Sequence, residues 1–272
     1  NYEQALEKLR RLSEHDPNNT LWLRDLTAHL NKLGNTKLQT GDTSGAARNF
    51  GESLAAARHL IEDDPENALL QSDLWMALNN VGDVKLRTSD ASGATPDYQE
   101  ALAILRHLSE RDLNNPLWLQ NMKVRLSRLG DASLQAADAG AAAASYEEFQ
   151  SIAQLLANHD PGNEVWQSNL WIALYKLSEA KLTLGDTTAA RGLCSEGLTI
   201  IRALAASHSG NVQRQLQLVM TLHLLASMQD GSERERALNE ALTILEQLQA
   251  TNQLPPDKIG WLDKIRQELP AN

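Results

Sequence analysis

Residues Leu26 to Asn67 read LTAHLNKLGNTKLQTGDTSGAARNFGESLAAARHLIEDDPEN, one unit of a pattern that the chain repeats. Apolar residues at Leu26, Leu30, Leu33 and Leu38 mark one face at helical spacing. Gly41-Asp42-Thr43-Ser44-Gly45 then stops that helix and caps the next. The second helix carries Ala46, Phe50, Leu54 and Leu60-Ile61. It ends at Asp63-Asp64-Pro65, because proline lacks the backbone donor and clashes with the preceding turn. The stretch predicts two helices, near 20–40 and 44–62.

The turn supplies a ruler. Asp16-Pro17-Asn18-Asn19 recurs as Asp64-Pro65-Glu66-Asn67, Asp112-Leu113-Asn114-Asn115 and Asp160-Pro161-Gly162-Asn163, then decays to His208-Ser209-Gly210-Asn211, each copy 48 residues after the last. Other landmarks keep the step: Trp22, Leu70, Trp118 and Trp166; Gly34, Gly82, Gly130 and Ser178; Leu38, Leu86, Leu134 and Leu182; Phe50, Tyr98, Tyr146 and Cys194. Several registers held at one period imply stacked helix pairs, each burying its apolar face on its neighbours.

This ruler divides the chain into units 20–66, 67–114, 115–162 and 163–210. Tyr2-Glu3-Gln4-Ala5-Leu6 aligns with Tyr98-Gln99-Glu100-Ala101-Leu102, so residues 1–19 are expected to be the second half of a unit that begins upstream. Residues 211–253 form a divergent unit: Arg214 replaces the tryptophan, and Glu196 to Glu240 spans 44 residues rather than 48, which predicts four residues missing between the two helices. In 254–272, Pro255-Pro256-Asp257 breaks the chain, and Trp261, Leu262 and Ile265 share one face of a capping helix near 257–268. The expectation is a single all-α solenoid over 1–272, about twelve helices in antiparallel pairs and no strands.

The net charge of −10 and pI of about 5.2 oppose binding to nucleic-acid phosphates or an anionic membrane surface, both of which need clustered Lys and Arg. Cys194 is the one cysteine, which excludes an internal disulfide or a thiolate metal cluster. It stands where other units place Phe50, Tyr98 and Tyr146 and reads as a small core residue. There is no apolar run of membrane-spanning length and no basic-then-apolar leader, so a cytoplasmic location is expected.

None of His15, His29, His59, His107, His159, His208 and His223 pairs with another ligand at His-Glu-x-x-His spacing. His15-Asp16 and His159-Asp160 hold one repeat position at a helix end, where a cation offsets the dipole. There is neither a Gly-x-x-x-x-Gly-Lys-Ser/Thr phosphate loop nor a Gly-x-Ser-x-Gly elbow. The reading is a chain with no catalytic residues, no metal and no cofactor. Trp22, Trp118 and Trp166, like the pair Trp75 and Trp171, read as packing anchors between units.

Leu33-Gly34 with Ala46, Phe50 and Ser53 resembles the tetratricopeptide repeat, whose signature is Leu-Gly and an aromatic in the first helix (A), then Ala, aromatic and Ala in the second (B). Val81-Gly82, Ala94, Tyr98 and Ala101 agree, as do Leu129-Gly130, Ala142, Tyr146 and Phe149, then Leu177-Ser178, Ala190, Cys194 and Gly197. The usual period is about 34 residues, so each unit here carries about fourteen more, assigned to extra turns before helix A and at the end of helix B. The late aromatic of helix A is replaced by Lys37, Lys85, Ser133 and Lys181, so packing there must differ. The resemblance implies right-handed superhelical stacking with helix A lining a concave groove. The long unit looks like arrays in multidomain bacterial signalling proteins. Relatives that clamp chaperone C-termini use Lys, Arg and Asn on successive A helices. Here Asn31, Asn35, Asn79 and Asn80 match without the basic members, so chaperone-tail binding is not expected.

If helix A lines the groove, the outward columns are Asn31, Asn79, Ser127 and Tyr175; Asn35, Asp83, Asp131 and Glu179; and Gln39, Arg87, Gln135 and Thr183. The candidate peptide contacts are Asn31, Asn35, Asn79, Asp83, Arg87, Asp131, Tyr175 and Glu179. Three carboxylates in one column suggest a partner with basic groups. The function read from this pattern is a non-catalytic scaffold that holds a peptide or protein segment. The alternative is a regulatory or sensor region of a larger bacterial signalling protein, and a third reading is self-association through the exposed first helix.

Overall fold

The computed structural model describes residues 2–111 and 116–270. They form twelve α-helices, one 3-10 turn and no strand: α1 Tyr2–His15, α2 Thr20–Gln39, α3 Thr43–Glu62, α4 Ala68–Arg87, α5 Ala91–Arg111, α6 Pro116–Gln135, α7 Ala139–His159, α8 Glu164–Thr183, α9 Thr187–Ser207, α10 Val212–Ala226, α11 Gly231–Ala250 and α12 Gly260–Glu268. The all-α repeat expectation holds. The third copy of the turn, Asp112-Leu113-Asn114-Asn115, lies outside the described residues, as does Asn1.

The repeated turn residues act as caps. Asn19 accepts from the Trp22 amide at 3.2 Å, and Asn67, Asn163 and Asn211 do the same work at α4, α8 and α10. The B helices use aspartate: Asp42, Asp90, Asp138 and Asp186 accept from the amides of Gly45, Gly93, Ala141 and Ala189 at 2.8–3.0 Å. A side-chain oxygen at this position satisfies an amide that has no partner inside the helix. At the other end of α2, α4, α6 and α8 the chain turns through the left-handed region at Gly41, Ser89, Ala137 and Gly185. The following amides of Asp42, Asp90, Asp138 and Asp186 then donate back to the carbonyls of Lys37, Lys85, Ser133 and Lys181 at 2.8–3.0 Å.

The chain divides into two compact units, Asn1–Ser145 and Tyr146–Asn272, with the division inside α7. In the first unit, α1 to α6 pack in chain order as helical hairpins. Its repeat glycines make room for aromatic rings. A Cβ on Gly34 would run into the Phe50 ring, and one on Gly82 would sit 2.9 Å from Tyr98 Cε1. Phe50 and Tyr98 are fully buried as a result. The lysines that replace the late aromatic are held by carboxylates instead. Lys37 Nζ donates to Asp42 at 3.0 Å and Lys85 Nζ to Asp97 at 2.6 Å, while Ser133 is buried at its equivalent site.

In the second unit, α8 to α12 pack in order around one continuous apolar cluster that runs from Trp171 through Leu198, Leu222 and Leu245 to Ile265. Ser178 and Cys194 stand where the first unit has glycine and an aromatic: the smaller thiol leaves space for a hydroxyl, which donates to the Ala190 carbonyl at 2.8 Å. Cys194 is buried, as its register predicts, and burial pushes its thiol up to about 12. The shortening in the divergent unit falls within helix A, because α10 has 15 residues against 20 in α8. At the C-terminus the expected single helix is a 3-10 turn, Pro256–Lys258, followed by α12, since prolines at 255 and 256 lack the donors for a regular first turn. Leu262 and Ile265 are buried against the cluster, as a cap requires.

Candidate functional site

In the first unit the A helices α2, α4 and α6 lie side by side. Arg24 Nε donates to Asp73 at 2.6 Å and Asn80 Nδ2 donates to Asn31 Oδ1 at 3.0 Å, joining α2 to α4. Arg128 Nε lies 3.6 Å from Asp83 Oδ1, joining α4 to α6. Of the sequence-derived candidates, Asn35, Asp83, Arg87 and Asp131 surround one open concavity of about 630 Å³, floored by Leu38, Leu86 and Leu134. These leucines are the register landmarks, and they hold the polar residues at a common height.

Two candidates of the first unit are placed elsewhere. Asn31 spends its carbonyl oxygen on the bridge from Asn80. Asn79 was expected to face outward, but it is 3% exposed, because α4 is flanked by both α2 and α6; neither end of its amide has a hydrogen-bond partner among the described residues. The acidic column is also more occupied than its spacing suggests. Asp83 accepts from the Tyr98 hydroxyl at 2.6 Å, and burial together with that carboxylate pushes the Tyr98 phenol well above its ordinary range. Arg125 lies under the same face, its guanidinium 5.7 Å from the Trp75 ring centre, and burial lowers its affinity for a proton.

Arg128 was not among the candidates, yet it lines the concavity. The signal was available: Lys32, Asn80, Arg128 and Lys176 form a column at the 48-residue step, one turn before the acidic one. With Arg87 and Arg128 opposite Asp83 and Asp131, the concavity carries both charges.

A second missed feature is apolar. Leu21, Leu69 and Leu117, each the second residue of its A helix, are 73%, 54% and 59% exposed, and Met76 and Val124 seven residues after the latter two are 40% and 41% exposed. Seven-residue steps stay within about 20° of one helix face, and a further seven residues reach Asp83 and Asp131. The outward face of the first unit therefore runs from an apolar N-terminal part into the charged concavity.

In the second unit, Tyr175 and Glu179 of α8 meet α10 and α12 around a separate pocket of about 290 Å³, and the Tyr175 hydroxyl donates to Glu179 at 3.1 Å. Burial and the Glu179 charge raise the Tyr175 phenol. Val165, the counterpart of Leu21, is 67% exposed. Among the described residues no cluster of His, Cys, Asp and Glu could hold a metal ion, and no helix is long and apolar enough to cross a membrane.

No protein-family model matches the chain, and no curated protein matches it. Solved structures do. BtubC (BKLC) from P. vanneervenii is 18% identical, with a TM-score of 0.61 over 94% of this chain and 91% of that one. The nuclear import adaptor Nro1 of S. pombe is 16% identical, with a TM-score of 0.59 over 97% and 90%. The TPR-like repeats of a putative kinesin light chain from Podosopora anserina are 15% identical, with a TM-score of 0.55 over 84% and 95%. The 48-residue register, the caps and these likenesses agree: the chain has the fold of tetratricopeptide-like helical-repeat proteins.

Proposed function

We propose that the chain is a non-catalytic interaction scaffold that holds a segment of a partner protein on the outward face of α2, α4 and α6. The observation that carries this reading is the continuity of that face, with exposed Leu69, Met76, Leu117 and Val124 leading into the concavity of Asn35, Asp83, Arg87 and Asp131. Large apolar side chains this exposed at one repeated position present apolar surface that a partner can cover. Their burial against a partner is worth about 25 cal/mol per Å². Packed helices lie about 8–10 Å apart, and residues seven apart on a partner helix are about 10.5 Å apart at 1.5 Å per residue. An amphipathic helix crossing the A helices thus matches the stripe, with a basic group for Asp131 and an acidic one for Arg87 to fix its register. Side chains already held on packed helices lose little entropy on binding. The chain's charge of −10 favours a protein partner over a nucleic acid.

The test is affinity capture from lysate of the native host with three baits: the wild-type chain, Leu69→Glu with Leu117→Glu, and Arg87→Glu with Asp131→Lys. A partner retained by the wild type and lost from both variants, each still folded by circular dichroism, supports the reading. An identical partner set on all three baits removes it.

A further inference from the structure

The pocket of the second unit is a different kind of site from the charged concavity. Three helices each give it one face: Tyr175 and Glu179 from α8, Met220, His223 and Leu224 from α10 with Ser227 just after its end, and Trp261, Lys264 and Ile265 from α12. Five of these side chains are aromatic or aliphatic. At about 290 Å³ it lies at the small end of ligand pockets, the size of a one-ring molecule rather than a peptide.

The polar groups around it are not equivalent. Glu179 keeps its negative charge, which raises the Tyr175 phenol, and its carboxylate is turned to the Tyr175 hydroxyl, which donates to it at 3.1 Å. The His223 ring lies with Nε2 2.9 Å from Glu268 Oε1; a carboxylate only accepts, so Nε2 carries the proton. Ser227 gives its proton to the Leu224 carbonyl at 2.7 Å. The remaining polar groups are the Trp261 indole N–H and the Lys264 ammonium; the latter is exposed at the pocket edge, forms no hydrogen bond or ion pair among the described residues, and acts on Glu268 only through space. A cavity with largely apolar walls, a carboxylate held on the α8 side by Tyr175 and a cation on the α12 side is complementary to a molecule with an apolar ring and one anionic group placed at the α12 side.

We propose that this pocket binds small aromatic carboxylates, the ring enclosed by Tyr175, Met220, Leu224, Trp261 and Ile265 and the carboxylate at Lys264. The site is separate from the partner-binding face of the first unit, so the failure of either reading leaves the other standing.

The probe is 3-phenylpropionate, titrated into the full chain while the methyl resonances of Met220, Leu224 and Ile265 are followed by NMR. The expected result is saturable shifts at these methyls with a Kd between about 10 μM and 1 mM, as suits a ligand of this size. The neutral 3-phenylpropanamide and the Lys264→Met variant should each bind about fivefold more weakly, the value of one exposed charge pair. Ser227→Trp, which fills the mouth from an exposed position, should abolish the shifts while circular dichroism is unchanged. Absence of saturation at about 10 mM overturns the proposal, as does equal binding of acid and amide or binding that survives Ser227→Trp.

Discussion

Ala137 shows how a repeat register constrains a single residue. Positions 41, 89, 137 and 185 all leave an A helix with positive φ, at 84°, 63°, 62° and 83°, yet only the first and last are glycine. An L side chain in that region costs roughly 1–2 kcal/mol, partly offset by the greater freedom of glycine in the unfolded chain. Ala137→Gly is therefore expected to stabilise the protein by about 0.5–1 kcal/mol and Gly41→Ala to destabilise it by a similar amount, both read from urea unfolding midpoints. The turn at Gly41 was legible in one copy of the sequence, because glycine marks it. The same turn at Ser89 and Ala137 was legible only through the 48-residue step. Asp83 lies at the other limit. Its outward placement followed from helical spacing, but its proton donor Tyr98 and its neighbour Arg128 arrive from other helices, and periodicity along one helix carries no information about them.

At the scale of elements, α12 illustrates a helix whose docking is electrostatic as well as apolar. Glu268 is its last residue, where the helix dipole disfavours an anion. The carboxylate is held there by His223 at 2.9 Å and by Arg234 at 3.2 Å, and Arg234 also donates to the Ala226 carbonyl at 3.1 Å. Burial pushes Glu268 up, but the His223 hydrogen bond and the charges of His223, Arg234 and Lys264 outweigh it, so the group lies below its ordinary 4.5. A carboxyl depressed in the folded state adds stability at pH above 4.5 and loses it as pH falls through the folded value. Amide exchange in α12 should accelerate on acidification below about pH 4.5. Glu268→Gln should remove that acid step and cost about 1 kcal/mol at neutral pH, since the amide keeps the shape but not the charge. Equal acid sensitivity in both proteins would exclude the latch. The apolar face of α12 was legible from Trp261, Leu262 and Ile265. The latch was not, because His223 and Arg234 belong to α10 and α11, whose register had already drifted from the 48-residue ruler.

At the scale of the whole molecule, a repeat array has no single core, and its stability is approximately a sum of unit terms and nearest-neighbour terms. The two compact units realise this differently. At the start of the first, Leu6, Leu26 and Leu30 form a cluster of their own, distinct from that of Leu23, Ala56, Leu60 and Leu70 one pair further on. Exposed or half-exposed ion pairs repeat beside them, Arg10 with Glu52 and Arg58 with Glu100, and such pairs add little cooperativity. In the second unit one cluster takes in residues of α8 to α12 without a break. Truncating a fully buried leucine costs about 2–5 kcal/mol in either place, but the cost should spread differently. Leu30→Ala is expected to raise amide exchange in α1 and α2 while α5 keeps its protection, because its contacts end within its own cluster. Leu222→Ala, in the continuous cluster, is expected to raise exchange in α9, α10, α11 and α12 together. Exchange measured by mass spectrometry on both variants separates these outcomes. If Leu30→Ala deprotects α5 as strongly as α2, cooperativity extends beyond the contact clusters, and the terms between neighbouring pairs, rather than the clusters, set the length over which the array unfolds.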